Sequence, residues 1–269
     1  MMHRQRILSA LVFIPLFYIL VRYGSPDLFF FILSLSILLG LREFFSLLEA
    51  RGIRPLRALG FVGGWTLSFL IYNAGPDRDD LLLFLALLVG SFLVALLSTK
   101  EDFGDRIQGA GATLLGILYL SLLLSFIALL RKLPGGETYI YYLFAVTWAG
   151  DAGAFYFGIR FGQHRLCPTL SPGKSVEGSI AGLVCSLAAS LLAKWTFFYR
   201  LPNWHALVLG VLLGVAAQLG DLSESLLKRS LAVKDSGSLI PGHGGFLDRV
   251  DSLLFTGPFL YFYVSHCVC

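Results

Sequence analysis

Long apolar runs separated by short polar segments make up most of the chain. Nine of them have, or come close to, the roughly 17–25 residues that a helix needs to cross the hydrocarbon core of a bilayer. The runs lie at residues 7–23, 27–42, 57–74, 81–98, 109–130, 138–158, 179–198, 205–221 and 252–268. Because they are continuous rather than alternating, they indicate helices and not barrel strands, and no strand is expected. The pattern predicts an all-α, polytopic integral membrane helical bundle with about nine transmembrane helices.

The composition supports this prediction. Of the 269 residues, 56% are apolar and only 14% are charged, whereas a soluble domain usually has about 25% charged residues. The apolar runs leave no room for a large soluble domain. The net charge of +4 is interpreted as a sign of membrane topology, and nucleic acid is not expected as a partner. The first run lacks a cleavage site and continues to Arg22, so we interpret it as an uncleaved span.

The distribution of basic residues predicts the orientation. With the N-terminus in the cytoplasm, 15 Lys and Arg residues fall in cytoplasmic segments and 5 in segments on the other side, as the positive-inside rule requires. The loops 159–178 and 222–251 are then cytoplasmic. The polar patches that could carry chemistry lie in the second half of the chain. Residues 1–135 are therefore predicted to be a transmembrane scaffold, and residues 136–269 the region that carries the chemistry.

The first polar patch lies inside the sixth apolar run. Asp151 stands there among small residues in the sequence "WAGDAGAFYFG". A carboxylate at membrane depth costs several kcal/mol unless it is paired or bound to a cation. Two interpretations stay open: a packing site between helices, or a ligand for a metal or a substrate. The small neighbours favour the ligand, because they let other groups approach closely.

The second patch is the loop "PTLSPGKSVEGS" at residues 168–179. Its Gly-Lys-Ser sequence is similar to a P-loop, but Pro168 stands where that motif requires glycine. What remains is a loop with Ser171, Lys174 and Ser175 before a helix, rich in donors that suit a phosphate. The alternative is an ordinary helix start that Ser175 caps.

The third patch brackets the loop between the last two runs. Asp221, Glu224 and Lys228 share one helix face, and Asp248 and Asp251 are again three residues apart at the start of the ninth run. A solvated stripe of salt bridges would have the same spacing. The density of carboxylates without cysteine ligands nevertheless suits a hard cation such as Mg²⁺. Basic residues between them suit phosphates, and the combination indicates phosphoryl or nucleotidyl transfer.

A long motif in this region resembles a known signature. Residues 225–252, "SLLKRSLAVKDSGSLIPGHGGFLDRVDS", are similar to the signature of the phosphatidate cytidylyltransferases, also called CDP-diacylglycerol synthases. Every fixed position of that signature is filled. The upstream sequence "GDAGAFYFGIRFGQHRL…SPGKSVEG" also resembles the family, with Phe155 in place of a commoner Tyr and Gln163 in place of a commoner Lys. The resemblance is specific over residues 148–252 and rests on hydropathy alone upstream.

The resemblance implies a reaction and a set of site residues. CTP and phosphatidic acid would give CDP-diacylglycerol and pyrophosphate, by metal-assisted attack of the lipid phosphate on the α-phosphate of CTP. Mg²⁺ would be the cofactor, with a second cation left open. The metal ligands would be Asp221 and Asp248, with Glu224, Asp251 and Asp151 as further ligands. Asp221, Asp248 and Lys228 would be catalytic.

The same resemblance implies the substrate site and its location. The substrate-binding residues would be Ser171, Lys174, Ser175, Lys228, Arg229, Lys234, Asp235, His243, Gly244, Gly245 and Arg249. His243 is either a phosphate donor or a cap of the turn. We expect the inner membrane of a bacterium, with the site on the cytoplasmic side, where CTP arrives from water and phosphatidic acid from the membrane lipid. A homodimer is left open.

Two other functions are compatible with parts of the pattern. A CTP-using lipid kinase would share the nucleotide site but would need a general base for a neutral hydroxyl acceptor. A cation-coupled transporter would also place acids in membrane helices. The acids cluster at one membrane face, however, and no inverted repeat with paired broken helices is apparent, so transport is disfavoured.

Overall fold

Helices dominate the computed structural model of the protein, which describes residues 2–74, 78–97, 102–233, 236–237 and 245–268. In these residues eight of the nine predicted apolar runs each fall on one helix, the run 109–130 is divided between two helices and a turn of π-helix, and the predicted helical class is confirmed. The helices are α1 (Met2–Tyr23), α2 (Pro26–Glu49), α3 (Arg57–Ala74), α4 (Arg78–Leu97), α5 (Phe103–Gly116), α6 (Leu123–Lys132), α7 (Gly136–Phe161), α8 (Val176–Thr196), α9 (Asn203–Ser230) and α10 (Leu247–Cys267). A π-helical turn, Ile117–Leu122, joins α5 to α6.

Several of these helices have the length and the apolar composition of a membrane span. In the described part of the chain four segments qualify: Pro26–Glu49, Phe103–Lys132, Val176–Thr196 and Asn203–Ser230. Large apolar side chains on their outer surfaces remain exposed to the surroundings, as on Phe31, Leu115 and Leu192. Such surfaces are typical of helices that face lipid rather than water. The membrane character of the protein follows, and the number of about nine transmembrane helices stays a prediction.

Two short strands differ from the sequence expectation. Strand β1 (Arg165–Cys167) pairs antiparallel with β2 (Ser171–Ser175) in the loop between α7 and α8. The prediction that no strand forms was made for backbone inside lipid, where only helices and closed barrels satisfy their polar groups. The hairpin lies in a polar loop outside the apolar runs, and strands this short leave no clear period-2 pattern in the sequence.

The chain divides into two compact units. The first comprises Met1–Leu129 and Asp235–Asp248. Its core is built by α2, α3 and the π-helical turn, with fully buried aliphatic and aromatic side chains at Ile37, Leu41, Phe44, Phe45, Leu67, Ile117 and Leu120. Close packing of such side chains provides the main stabilisation of this unit.

The second unit comprises Leu130–Lys234 and Arg249–Cys269. Helices α7, α8 and α9 pack together in it, and the contact between α7 and α8 is especially close. A Cβ atom added at Gly150 or Gly153 would overlap the side chain of Ser186 or Cys185. The two glycines therefore bring the backbone of α7, with Asp151 between them, directly against α8.

Candidate active site

Three carboxylates meet in the second unit, and we call them the three-acid group: Asp221, Glu224 and Asp251. One carboxylate oxygen of each lies within 4.8 Å of those of the other two. Asp221 and Glu224 are neighbours on the same face of α9, as the spacing of three residues predicts. Asp251 comes from the beginning of α10. The structure thus brings together three of the five acids that were predicted as metal ligands.

A glycine explains why α10 comes so near to α9 at this point. A Cβ atom at Gly220 would overlap the carbonyl oxygen of Asp251 and lie 3.2 Å from the Cα atom of Ser252. Any side chain at this position would therefore push the two backbones apart. Since Gly220 directly precedes Asp221, its lack of a side chain places the carboxylates of Asp221 and Asp251 in one small region.

Two lysines accompany the three-acid group. The Nζ atom of Lys174, on β2, lies 2.7 Å from Oδ2 of Asp221, and these side chains are 24% and 39% exposed. The Nζ atom of Lys228 lies 2.7 Å from Oε2 of Glu224, one turn away on α9, and these side chains are only 16% and 2% exposed. The Lys228–Glu224 pair is therefore the more deeply buried, and its loss would leave an uncompensated charge away from water.

The electrostatics of the group favour an additional positive charge. Three carboxylates this close repel one another, and the ammonium groups of Lys174 and Lys228 compensate only part of their charge. Asp251 precedes the predicted span 252–268, and its removal from water together with the negative charge of Asp221 raises its pKa above the usual range of a carboxyl group. A bound cation would relieve the same repulsion. The all-oxygen donor set suits a hard cation such as Mg²⁺.

Asp151 lies next to the group without belonging to it. Its Oδ1 atom accepts a hydrogen bond of 3.3 Å from Oγ of Ser252, the residue after Asp251. Asp151 is also close enough to Asp221 and Lys174 for their charges to interact. The prediction that Asp151 contributes to the site as a further ligand stays a prediction.

The hairpin that carries Lys174 is fixed at both ends. Oγ of Ser175 accepts a hydrogen bond of 3.1 Å from the backbone N–H of Gly178 and caps α8, the alternative considered from the sequence. The carboxylate of Glu177 accepts hydrogen bonds from the backbone N–H groups of Gln163 and His164 and lies 2.6 Å from Nδ1 of His164. The N-terminal turn of α8 therefore holds the loop that presents Lys174.

Other predicted substrate-binding residues lie along the same loop and on the flanking helices. Ser171 begins β2, and Arg229 on α9 donates a hydrogen bond of 3.2 Å from Nε to the carbonyl oxygen of Leu170. Arg229 is thus attached to the hairpin. Arg249 is exposed on α10. The predicted residues Lys234, Asp235, His243 and Gly244 lie outside the described residues.

Asp248 belongs to the first unit and has a different environment. Its Oδ2 atom accepts hydrogen bonds from the backbone N–H of Ser236 at 3.2 Å, from Oγ of Ser236 at 3.0 Å and from the backbone N–H of Gly245 at 3.0 Å. The three-acid group does not include Asp248. These hydrogen bonds join Ser236 to Gly245, and the prediction that Asp248 is a metal ligand stays a prediction.

One buried acid near Asp248 was not predicted. Glu43 on α2 is only 8% exposed, and its Oε2 atom accepts a hydrogen bond of 2.9 Å from the backbone N–H of Leu247. The sequence assigns this residue to the scaffold. The only signal was a charged residue where the second apolar run ends, at "LLGLREFFSLLE".

Comparison with known proteins identifies the class of this site. The model of the cytidylyltransferase family matches residues 4–267 of the chain. Phosphatidate cytidylyltransferases from Synechocystis sp. and Bacillus subtilis are each 34% identical to it, over 98% and 97% of this chain and 97% of each relative. The phosphatidate cytidylyltransferase of Staphylococcus saprophyticus is also 34% identical, over 94% of both chains. The chain therefore belongs to the phosphatidate cytidylyltransferase family of enzymes, and the resemblance carried by residues 225–252 is confirmed.

Proposed function

We propose that this enzyme transfers the cytidylyl group of CTP to phosphatidic acid and releases CDP-diacylglycerol and pyrophosphate. The observation that carries the proposal is the three-acid group with Lys174 and Lys228 beside it. Carboxylates that can hold a cation, next to ammonium groups that can hold phosphates, are the groups that nucleotidyl transfer requires. The names of the relatives support CTP and phosphatidic acid as the two substrates.

The chemistry requires positioning more than covalent catalysis. An oxygen of the lipid phosphate forms a new bond to the α-phosphorus of CTP. The bond from the α-phosphorus to the oxygen that bridges to the β-phosphate breaks, and pyrophosphate leaves with that electron pair. The attacking oxygen is already anionic, so no general base is needed. Alignment of two bound substrates can supply much of the rate enhancement.

The residues of the group have separate tasks in this proposal. Asp221, Glu224 and Asp251 would hold Mg²⁺, and Asp151 would be a further ligand. Bound Mg²⁺ supplies positive charge to the phosphate oxygens of the nucleotide and the leaving group. The ammonium groups of Lys174 and Lys228 neutralise further negative charge that develops on those oxygens. The hydrogen bond from Arg229 attaches its guanidinium group to the hairpin, and this group would be a further phosphate ligand.

We place the reaction at the cytoplasmic boundary of a bacterial inner membrane. The charge distribution along the sequence supports a cytoplasmic N-terminus and cytoplasmic loops at 159–178 and 222–251. A site there is accessible to CTP from water and to phosphatidic acid from the lipid. Residues 1–135 would then serve mainly as a transmembrane scaffold, and residues 136–269 would carry the catalytic groups.

An assay with two labels tests the proposal. The detergent-solubilised protein is incubated with phosphatidic acid, Mg²⁺ and CTP labelled either in the cytidine or in the γ-phosphate. Cytidine label in the lipid product, lost when Mg²⁺ is chelated and regained when it is restored, is the expected result. Label from the γ-phosphate in the lipid would identify a kinase instead. Turnover that is indifferent to chelation would contradict the role of the three-acid group.

A further inference from the structure

A buried carboxylate on α2 contacts the segment that leads into α10. We call this segment the loop neck and define it as Ser236, Gly237 and Gly245–Asp248. Oε2 of Glu43 accepts the backbone N–H of Leu247, the first residue of α10, at 2.9 Å. The two residues are 204 positions apart in sequence. All these residues belong to the first unit.

The loop neck is itself closed by Asp248. Its Oδ2 atom accepts hydrogen bonds from Ser236 on one side and from Gly245 on the other. Ser236–Gly237 and Gly245 flank residues 238–244, which include most of the "PGHGG" part of the signature. The hydrogen bonds of Asp248 therefore fix the two ends of that stretch relative to each other.

The neck and the Glu43 side chain fit each other closely. A Cβ atom at Gly237 would overlap Oε1 of Glu43, and a Cβ atom at Gly245 would overlap the same oxygen and Oγ of Ser236. The ring of Phe246 also packs against Gly40, one turn before Glu43 on α2, where an added Cβ atom would lie 3.3 Å away. The chain thus leaves space at two neck glycines that the carboxylate of Glu43 fills.

Filling that space with a carboxylate has an energetic cost that an apolar side chain would avoid. A buried ionisable group is expensive to desolvate unless hydrogen bonds compensate it. Here the backbone N–H of Leu247 donates to Oε2 at the N-terminal end of α10, where the helix dipole also favours negative charge. Glu43 is therefore suited to fix the direction in which α10 begins, in addition to filling space.

We propose that Glu43 is a positioning residue for cytidylyl transfer: it anchors the loop neck and the first turn of α10 to α2. The inference rests on the proposed function, because α10, which begins at the loop neck, carries Asp251 of the three-acid group. Glu43 touches no substrate in this proposal and acts through Leu247 and the neck glycines.

Four variants test it. In Glu43→Ala the anchor is lost, and Glu43→Gln keeps one oxygen that can accept the N–H of Leu247. Gly237→Ala introduces a methyl group that would overlap Oε1 of Glu43, at a backbone position whose φ is not in the left-handed region. The double variant Glu43→Ala/Gly237→Ala removes that overlap. Glu49→Gln is the matched control, because Glu49 lies on the same helix but pairs with Arg57 at 2.6 Å in an exposed position.

Two measurements are made on each variant in detergent: kcat and KM for both substrates, and deuterium exchange of the peptide that contains residues 245–248. We expect Glu43→Ala and Gly237→Ala each to lower kcat by about tenfold or more, the size of a lost hydrogen bond to a charged group. The exchange of the neck amides should rise by a similar factor. Glu43→Gln should recover part of both losses, and the double variant should be no worse than Glu43→Ala. Glu49→Gln should change neither.

The outcomes separate this inference from the proposed function. If the unmodified chain does not transfer cytidylyl groups, the function fails, while the exchange data still report on the anchor. Unchanged exchange and a kcat within about twofold in Glu43→Ala would overturn the inference, since a lost hydrogen bond should have a larger effect. So would strictly additive losses in the double variant, because residues in contact are expected to couple.

Discussion

Replacing Asp221 with Asn separates the chemistry of the site from its stability. The change keeps the size and shape of the side chain and removes one of three negative charges that lie within 4.8 Å of one another. The salt bridge from Oδ2 to Nζ of Lys174 is lost as well. Folding and catalysis should respond very differently to this loss.

The burial of the pair sets the effect on stability. The side chains of Asp221 and Lys174 are 39% and 24% exposed, so their ion pair contributes at most about 1 kcal/mol. Relief of repulsion with Glu224 and Asp251 offsets part of that amount. The effect on turnover is larger, because removing one group that stabilises charge in a transition state typically costs about 10²–10³-fold in kcat. We therefore expect Asp221→Asn to fold and to be nearly inactive.

The assay follows labelled cytidine into lipid over a range of Mg²⁺ concentrations, together with thermal unfolding in the same detergent. Glu49→Gln is the matched control, since it removes one carboxylate from a pair in which Glu49 is 44% exposed and Arg57 40% exposed. That control should keep full activity and lose equally little stability. Near-normal turnover in Asp221→Asn, or a loss of activity that merely follows unfolding, would refute the assignment of Asp221 as a metal ligand.

Three further changes follow from the same contacts. Lys228→Met leaves the buried charge of Glu224 uncompensated, so stability should fall by about 3–5 kcal/mol together with turnover, and equal stability in a denaturation series would contradict the buried pair. Ser175→Ala removes the cap of α8 and should lower the free energy of unfolding by about 0.5–2 kcal/mol. A raised KM for CTP that this loss of stability does not explain would assign the hydroxyl to the substrate site. Gly220→Ala inserts a methyl group against the Asp251 carbonyl, which should cost about 1–3 kcal/mol and lower kcat, whereas unchanged kinetics would show that the distance between α9 and α10 is not critical.

The helices could be predicted from the sequence because apolar runs of membrane length carry a strong local signal. The face shared by Asp221, Glu224 and Lys228 followed in the same way from helical spacing. The hairpin that holds Lys174 could not be predicted, since strands of three and five residues give too little pattern. Helical spacing thus predicted which charged groups share a face of α9, but it could not predict the hairpin that meets them.

The contacts between distant segments needed the structure. Asp251 joins the three-acid group because Gly220 lets α10 touch α9, and nothing in the sequence distinguishes this glycine from the others. Glu43 stood at the end of an apolar run in the half of the chain assigned to the scaffold. Its partner Leu247 is apolar and offers only a backbone N–H, which is present at almost every residue and therefore leaves no trace in the sequence.

The two acids at the start of α10 have different contact partners, and their spacing in the sequence does not show this difference. Asp248 and Asp251 are three residues apart at the start of α10 and looked like one ligand pair. Two backbone N–H groups and a hydroxyl donate to Oδ2 of Asp248, as donors do at a helix cap, and the assignment of Asp248 as a metal ligand stays a prediction. Asp251 instead faces two other carboxylates, and the two nearby lysines do not balance their combined charge. We therefore propose that a cation binds at Asp251 and its partners, while the hydrogen bonds of Asp248 and Glu43 hold the loop neck and the beginning of α10.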